Sequence, residues 1–96
     1  MKAIVLKTYH TEILRAVKSL AIEERELGLP AAHQVKIKVR STICNPSDLS
    51  FLRGVYGVKK EVPVVPGFEG SGIVEEAGNS PEAQALVGKR VAFAAN

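Results

Sequence analysis

Asn45, Asp48 and Tyr56 are the residues of this 96-residue chain whose types and spacing best suit chemistry. A carboxamide donates and accepts hydrogen bonds, a carboxylate accepts them, and a phenol can donate to an oxygen that is gaining charge. Asn45 stands directly before Pro46, at the end of a strongly patterned stretch. It reads either as a strand-ending turn residue, because Asx side chains complete turns, or as a polar group held at a rigid strand end to face a ligand. Asp48 either caps a short helix through its carboxylate or hydrogen-bonds within a polar site. Tyr56 lies on a Gly-flanked loop, as a packed lid or as a substrate contact.

Other chemistries find less support. The lone cysteine, Cys44, has no histidine or cationic helix end nearby to activate it, and reads as a buried, inert thiol. His10 and His33 are far apart, with no short-spaced ligand pair of the kind a tetrahedral zinc site uses. Gly67, Gly70 and Gly72 fall in an extended, Pro-punctuated segment. No G-x-G-x-x-G opens a helix, so the fingerprint of a dinucleotide pyrophosphate site is missing.

The elements that must position these residues are mostly strands. Ala3 to Leu6 reads as a first strand. Between Thr11 and Leu20, Ile13, Leu14, Val17 and Leu20 allow a short helix; the other reading, which the resemblance given below favours, is a loop leading into a strand over 20–24, where Leu20 and Ile22 alternate with Ala21 and Glu23. Gly28-Leu29-Pro30 signals a turn. From Gln34 to Ile43 apolar residues fall at 35, 37, 39 and 43, which predicts a half-buried strand with one wet face. Asn45-Pro46 ends it, and Pro46 suits the first turn of a short helix through Leu52. Gly54 and Gly57 close that turn, and Pro63 and Pro66 enforce extended backbone. A strand from Ser71 to Ala77 follows, with glycines at its start that mark a bulge or close approach. A turn at 78–81, a helical turn over 82–86 and a last strand through Phe93 complete the chain. Short strands between Gly/Pro turns predict one small, all-β, barrel-like domain with short helical turns.

Composition is ordinary for a globular domain, with 46% hydrophobic and 24% charged residues. The net charge of +3 is spread along the chain. Two Tyr, three Phe and no Trp, with no concentrated basic patch, argue against nucleic-acid binding. One cysteine excludes an intrachain disulfide and suits a reducing, cytoplasmic setting. No apolar run approaches a signal peptide or a membrane span.

Four segments in order carry a resemblance: Asn45-Pro46-Ser47-Asp48, Arg53-Gly54-Val55-Tyr56, Pro66-Gly67-Phe68-Glu69-Gly70-Ser71-Gly72-Ile73-Val74, and Val87-Gly88-Lys89-Arg90-Val91-Ala92. Together they resemble the N-terminal GroES-like domain of the medium-chain dehydrogenase/reductase superfamily, most nearly its zinc-independent quinone oxidoreductase branch. The resemblance implies a GroES-like partial β-barrel over residues 1–96, truncated and without the Rossmann nucleotide-binding domain of the same polypeptide. It implies hydride transfer from NADPH to a small carbonyl or quinone substrate by the full-length enzyme, with the isolated piece inactive. Asn45 would lie near the nicotinamide, Tyr56 would face the substrate, Phe68 would line the pocket and Asp48 would brace the loop. Zinc-dependent alcohol dehydrogenases carry Cys at the position of Asn45 and His at that of Phe68, so no zinc is expected here. Cys44 is one residue out of register and faces the other way. A non-enzymatic assembly module is the alternative, and apolar surface left open by missing parts would favour a homo-oligomer.

Overall fold

The computed structural model describes residues 1–94. In chain order the elements are β1 (Lys2–Val5), α1 (Ile13–Lys18), β2 (Ala21–Glu24), β3 (Val35–Thr42), α2 (Pro46–Leu52), β4 (Glu69–Ala77), α3 (Pro81–Gln84) and β5 (Arg90–Ala94). The chain is mostly β, as its alternating patterns require. Its described residues divide into two compact units: Met1–Glu26 with Cys44–Phe68, and Leu27–Ile43 with 69–94.

In the first unit, β1 and β2 form an antiparallel pair in which Ile4 faces Ile22. Just past β1, Leu6 and Val64 exchange two backbone hydrogen bonds, 2.8 and 2.9 Å long. This joins the Pro-rich segment to the strand. The core is Leu6, Ala16, Phe51 and Leu52, with Tyr9, Leu20, Val64 and Phe68 packed around it. Fully burying a leucine or phenylalanine side chain, as at Leu6 and Phe51, contributes about 1.5–3 kcal/mol.

The loop expected over 13–18 is a helix. Its Glu12 N-cap makes no side-chain bond, so local propensity alone does not explain it. Tertiary packing does, since Ala16 is fully buried in the core. The apolar residues that suggested a helical face, Leu14 and Val17, are exposed instead.

In the second unit the sheet order is β3-β4-β5, all antiparallel. Val39, Gly72 and Val91 lie side by side across it. Two register shifts interrupt β3, one between Lys36 and Ile37 and one between Val39 and Ser41. The glycines of β4 mark close approach, as their sequence position suggests. A Cβ on Gly72 would stand 2.2 Å from the Lys38 carbonyl oxygen. Ser80 caps α3 by accepting the Ala83 N–H at 3.2 Å. Lys36 pairs with Glu76 at 3.5 Å across the sheet.

The expected burial of one β3 face holds only at its start. Val35 and Ile37 are half-buried, but Val39 is 52% and Ile43 56% exposed. Within this unit nothing covers that end of the apolar face. An open groove of about 560 Å³ runs beside it, lined by Leu27, Leu29, Val35, Ile37, Val39 and Phe93 among others. Neither sheet closes on itself, consistent with a partial barrel. Among the described residues no helix is long and apolar enough to cross a membrane.

Candidate functional site

The site grows from the N-terminus of α2. Asn45 has extended backbone (φ −89°, ψ 161°), Pro46 takes the first helical position, and Asp48 is third. Asparagine is among the best N-cap residues. Proline is preorganised for the first position. An acid at the third can reach back to the cap, completing a capping box. The Asp48 carboxylate Oδ2 accepts the Asn45 backbone N–H at 2.6 Å, and the pair forms that box. Its negative charge also suits the helix dipole. The turn reading of Asn45 and the cap reading of Asp48 are therefore realised.

Asp48 has a second feature. It is only 8% exposed, and its other oxygen, Oδ1, is buried without a hydrogen-bond partner. A buried acceptor left unmade is costly.

One helical turn on, Phe51 begins a row of rings. Its centroid lies 5.6 Å from Tyr9 and 5.5 Å from Phe68, both edge to face. Phe68 in turn lies 5.5 Å from Tyr56, tilted at 45°. These separations are favourable for aromatic pairs. Tyr56, at the outer end, is 40% exposed, and its hydroxyl makes no hydrogen bond among the described residues. The Tyr9 hydroxyl differs: it donates to the Lys60 carbonyl at 2.6 Å and accepts the Lys60 N–H at 3.0 Å. The Lys59 ammonium sits 5.0 Å from the Tyr9 ring centre, at cation–π range.

The loop carrying Tyr56 is thus anchored from both sides. The Arg53 Nε–H donates to the Thr11 carbonyl. Gly54 and Val55 return their N–H groups to Phe51 and Ser50 at 2.9 and 3.1 Å, a Schellman ending for α2. Gly54 has φ +73°, and a Cβ there would lie 3.1 Å from the Tyr9 Cβ. Gly54→Ala is therefore expected to destabilise the chain by about 1–2 kcal/mol from the left-handed backbone, read as a lowered urea midpoint with an unchanged m-value.

All four residues singled out from the sequence fall in one unit and in two pairs. Asn45 and Asp48 share the α2 cap, Tyr56 and Phe68 share a ring contact, and Phe51 bridges the pairs. Phe51 and Tyr9 were not singled out. Phe51 could have been, since it lies three residues from Asp48 and shares its helix face. Tyr9 had no local signal, because its partner Lys60 is 51 positions away. Cys44 is exposed, not buried as expected; it follows the uncovered end of β3. Among the described residues no three His, Cys, Asp or Glu side chains gather where a metal could sit.

Residues 31–96 match the family model of the alcohol dehydrogenase GroES-like domain. An alcohol dehydrogenase class-3 of Myxine glutinosa is 44% identical over 63 residues, 66% of this chain and 16% of that protein. The structure superposes with a TM-score of 0.82 on a Mesorhizobium loti protein assigned as an NADPH:quinone reductase, at 39% identity, covering 98% of this chain and 29% of that one. It also matches the Thermus thermophilus quinone oxidoreductase, whose NADPH complex is known, with a TM-score of 0.65, at 26% identity and covering 98% and 30%. The chain thus spans under a third of these relatives, which are oxidoreductases. With the family match covering more than half of it, the chain belongs to the alcohol dehydrogenase GroES-like domain family of the medium-chain dehydrogenase/reductase superfamily.

Proposed function

We propose that this chain is the N-terminal, substrate-facing part of a cytoplasmic, NADPH-dependent, zinc-independent oxidoreductase that reduces a quinone or enone. The observation that carries the reading is the row Phe51–Phe68–Tyr56, which ends in a phenol whose hydroxyl has no partner among the described residues. Flat, conjugated substrates suit a wall of rings. A hydrogen-bond donor at its edge suits an oxygen that gains charge during reduction.

The residues present do not fit a catalytic zinc. Phe68 has no donor atom, Asn45 offers a carboxamide in place of a thiolate, and zinc favours Cys and His. The resemblance puts a nicotinamide beside Asn45, a half-buried residue on a rigid cap. Bound NADPH supplies the hydride, and a Rossmann domain beyond these residues would hold its nucleotide end. Within this chain Tyr56 donates to the substrate oxygen, Phe68 excludes water, and Asp48 fixes the backbone of Asn45.

The test is turnover of a quinone by the full natural polypeptide with NADPH. Tyr56→Phe should lower kcat by about 10²-fold, the usual effect of losing one donor to a developing oxyanion. Activity should survive exhaustive chelation. An unchanged kcat in Tyr56→Phe, or activity lost on chelation and restored by zinc, would overturn the assignment.

A further inference from the structure

The second unit carries a cationic hollow that hydride transfer does not use. Ser41 faces Ser71 across β3 and β4, while Lys38 and Arg90 both face Ile73. Alternation along β4 puts Ser71 and Ile73 on one side of the sheet, and their partners share that side. The register shift between Val39 and Ser41 leaves Arg40 as an extra residue with no counterpart on β4. A bulge of this kind re-aims the inserted side chain. The result is a hollow of about 370 Å³ lined by Arg40, Ser41, Ser71, Gly72, Ile73 and Arg90.

Its charges are unbalanced. No carboxylate lines it, and neither arginine, nor Lys38, is in an ion pair among the described residues. Lys36, further along the strand, is already matched by Glu76. Gly72 adds only backbone to the lining, between β3 and β5, which each carry one of the two arginines.

We propose that this hollow binds a phosphate group. A guanidinium engages two oxygens of a phosphate in parallel. A tetrahedral dianion has enough acceptor oxygens for two such forks and two serine hydroxyls at once. A carboxylate, with two oxygens in one plane, does not. The phosphate is free or carried by a small organic molecule, for which Ile73 offers an apolar contact. The inference is independent of the reductase reading.

The test uses the full natural polypeptide labelled with ¹⁵N-arginine. Inorganic phosphate and phenyl phosphate are titrated at constant ionic strength, with acetate as the control anion. The Arg40 and Arg90 Nε–H resonances should shift saturably with both phosphates and not with acetate. Arg40→Gln and Arg90→Gln should each weaken binding about tenfold or more, as loss of a charge-assisted fork implies. Arg40→Lys, which keeps the charge without the fork, should fall between. Tighter binding of phenyl phosphate identifies an organic phosphate as the ligand; equal or tighter binding of the inorganic ion identifies free phosphate. Equal shifts with acetate, shifts that never saturate, or unchanged affinity in either glutamine variant would overturn the proposal.

Discussion

Gly78→Ala is expected to unfold the second unit under conditions where the parent chain is folded. A Cβ at Gly78 would stand 1.8 Å from the Ala31 carbonyl oxygen and 2.5 Å from that of Ala32. Both are backbone atoms, so no rotamer change relieves the contact. The segment over 31–34 must move, and two hydrogen bonds go with it: the Gly78 N–H to Gln34 at 2.8 Å and the Ser80 N–H to Ala32 at 3.0 Å. Overpacking costs about 1–3 kcal/mol, and each hydrogen bond about 0.5–1.5 kcal/mol. Together these reach a large fraction of the stability of a small domain, about 5–15 kcal/mol. The check is a urea titration followed by circular dichroism. Gly28→Ala is the matched control, since no atom lies within 4 Å of a Cβ there. It should be neutral or slightly stabilising. A Gly78→Ala midpoint equal to that of the control would mean that the 31–34 turn is not docked.

That turn also shows where the sequence stops being informative. Gly78 reads as one member of a Gly-Asn-Ser-Pro turn, and the turn is there, with Ser80 capping the helix that follows. The demand for glycine comes from Ala31, 47 positions earlier, and no local pattern reports it. The same division holds elsewhere. The β3 alternation is visible because period two is a local property. Its exposure at Val39 and Ile43 is not, because burial depends on what packs above the strand. The α1 helix, one of two readings open for 11–20, ranks second in the sequence for a related reason. Its stability comes from Ala16 in the core, while the larger residues that draw attention, Leu14 and Val17, point to solvent.

The candidate site divides in the same way. The Asn-Pro-x-Asp spacing contains the whole capping box, since N-cap, first position and third position are contiguous. Both local alternatives for those residues were therefore open to reading from four letters. The ring row was not. Phe68 and Tyr56 are 12 residues apart on a loop, and Tyr9 enters from the other end of the unit. Only the ordered resemblance brought Phe68 and Tyr56 together in advance, and it said nothing of Tyr9, which holds the loop in place.

Asp48→Ala is expected to lower stability and turnover together, and Asp48→Asn to lower stability much less. The alanine variant removes the carboxylate that accepts the Asn45 N–H and dissolves the capping box. Losing a cap of this kind costs about 0.5–2 kcal/mol. Asparagine retains an acceptor for that N–H. Its NH2 takes the place of Oδ1, which is buried without a partner among the described residues, so an unpaired neutral group replaces an unpaired charged one, at a lower desolvation cost. The box needs an acceptor and does not need a charge. The two variants should therefore separate in urea midpoint, with asparagine within about 1 kcal/mol of the parent. In the full natural polypeptide the alanine variant should also lower kcat, because Asn45 loses the group that fixes its backbone, and a misplacement of about 1 Å can cost 10²-fold. If both variants lose stability equally, the carboxylate charge is required by the fold, and its second oxygen must then be satisfied by a group outside the described residues. If asparagine matches the parent in stability but not in turnover, the charge is retained for the reaction.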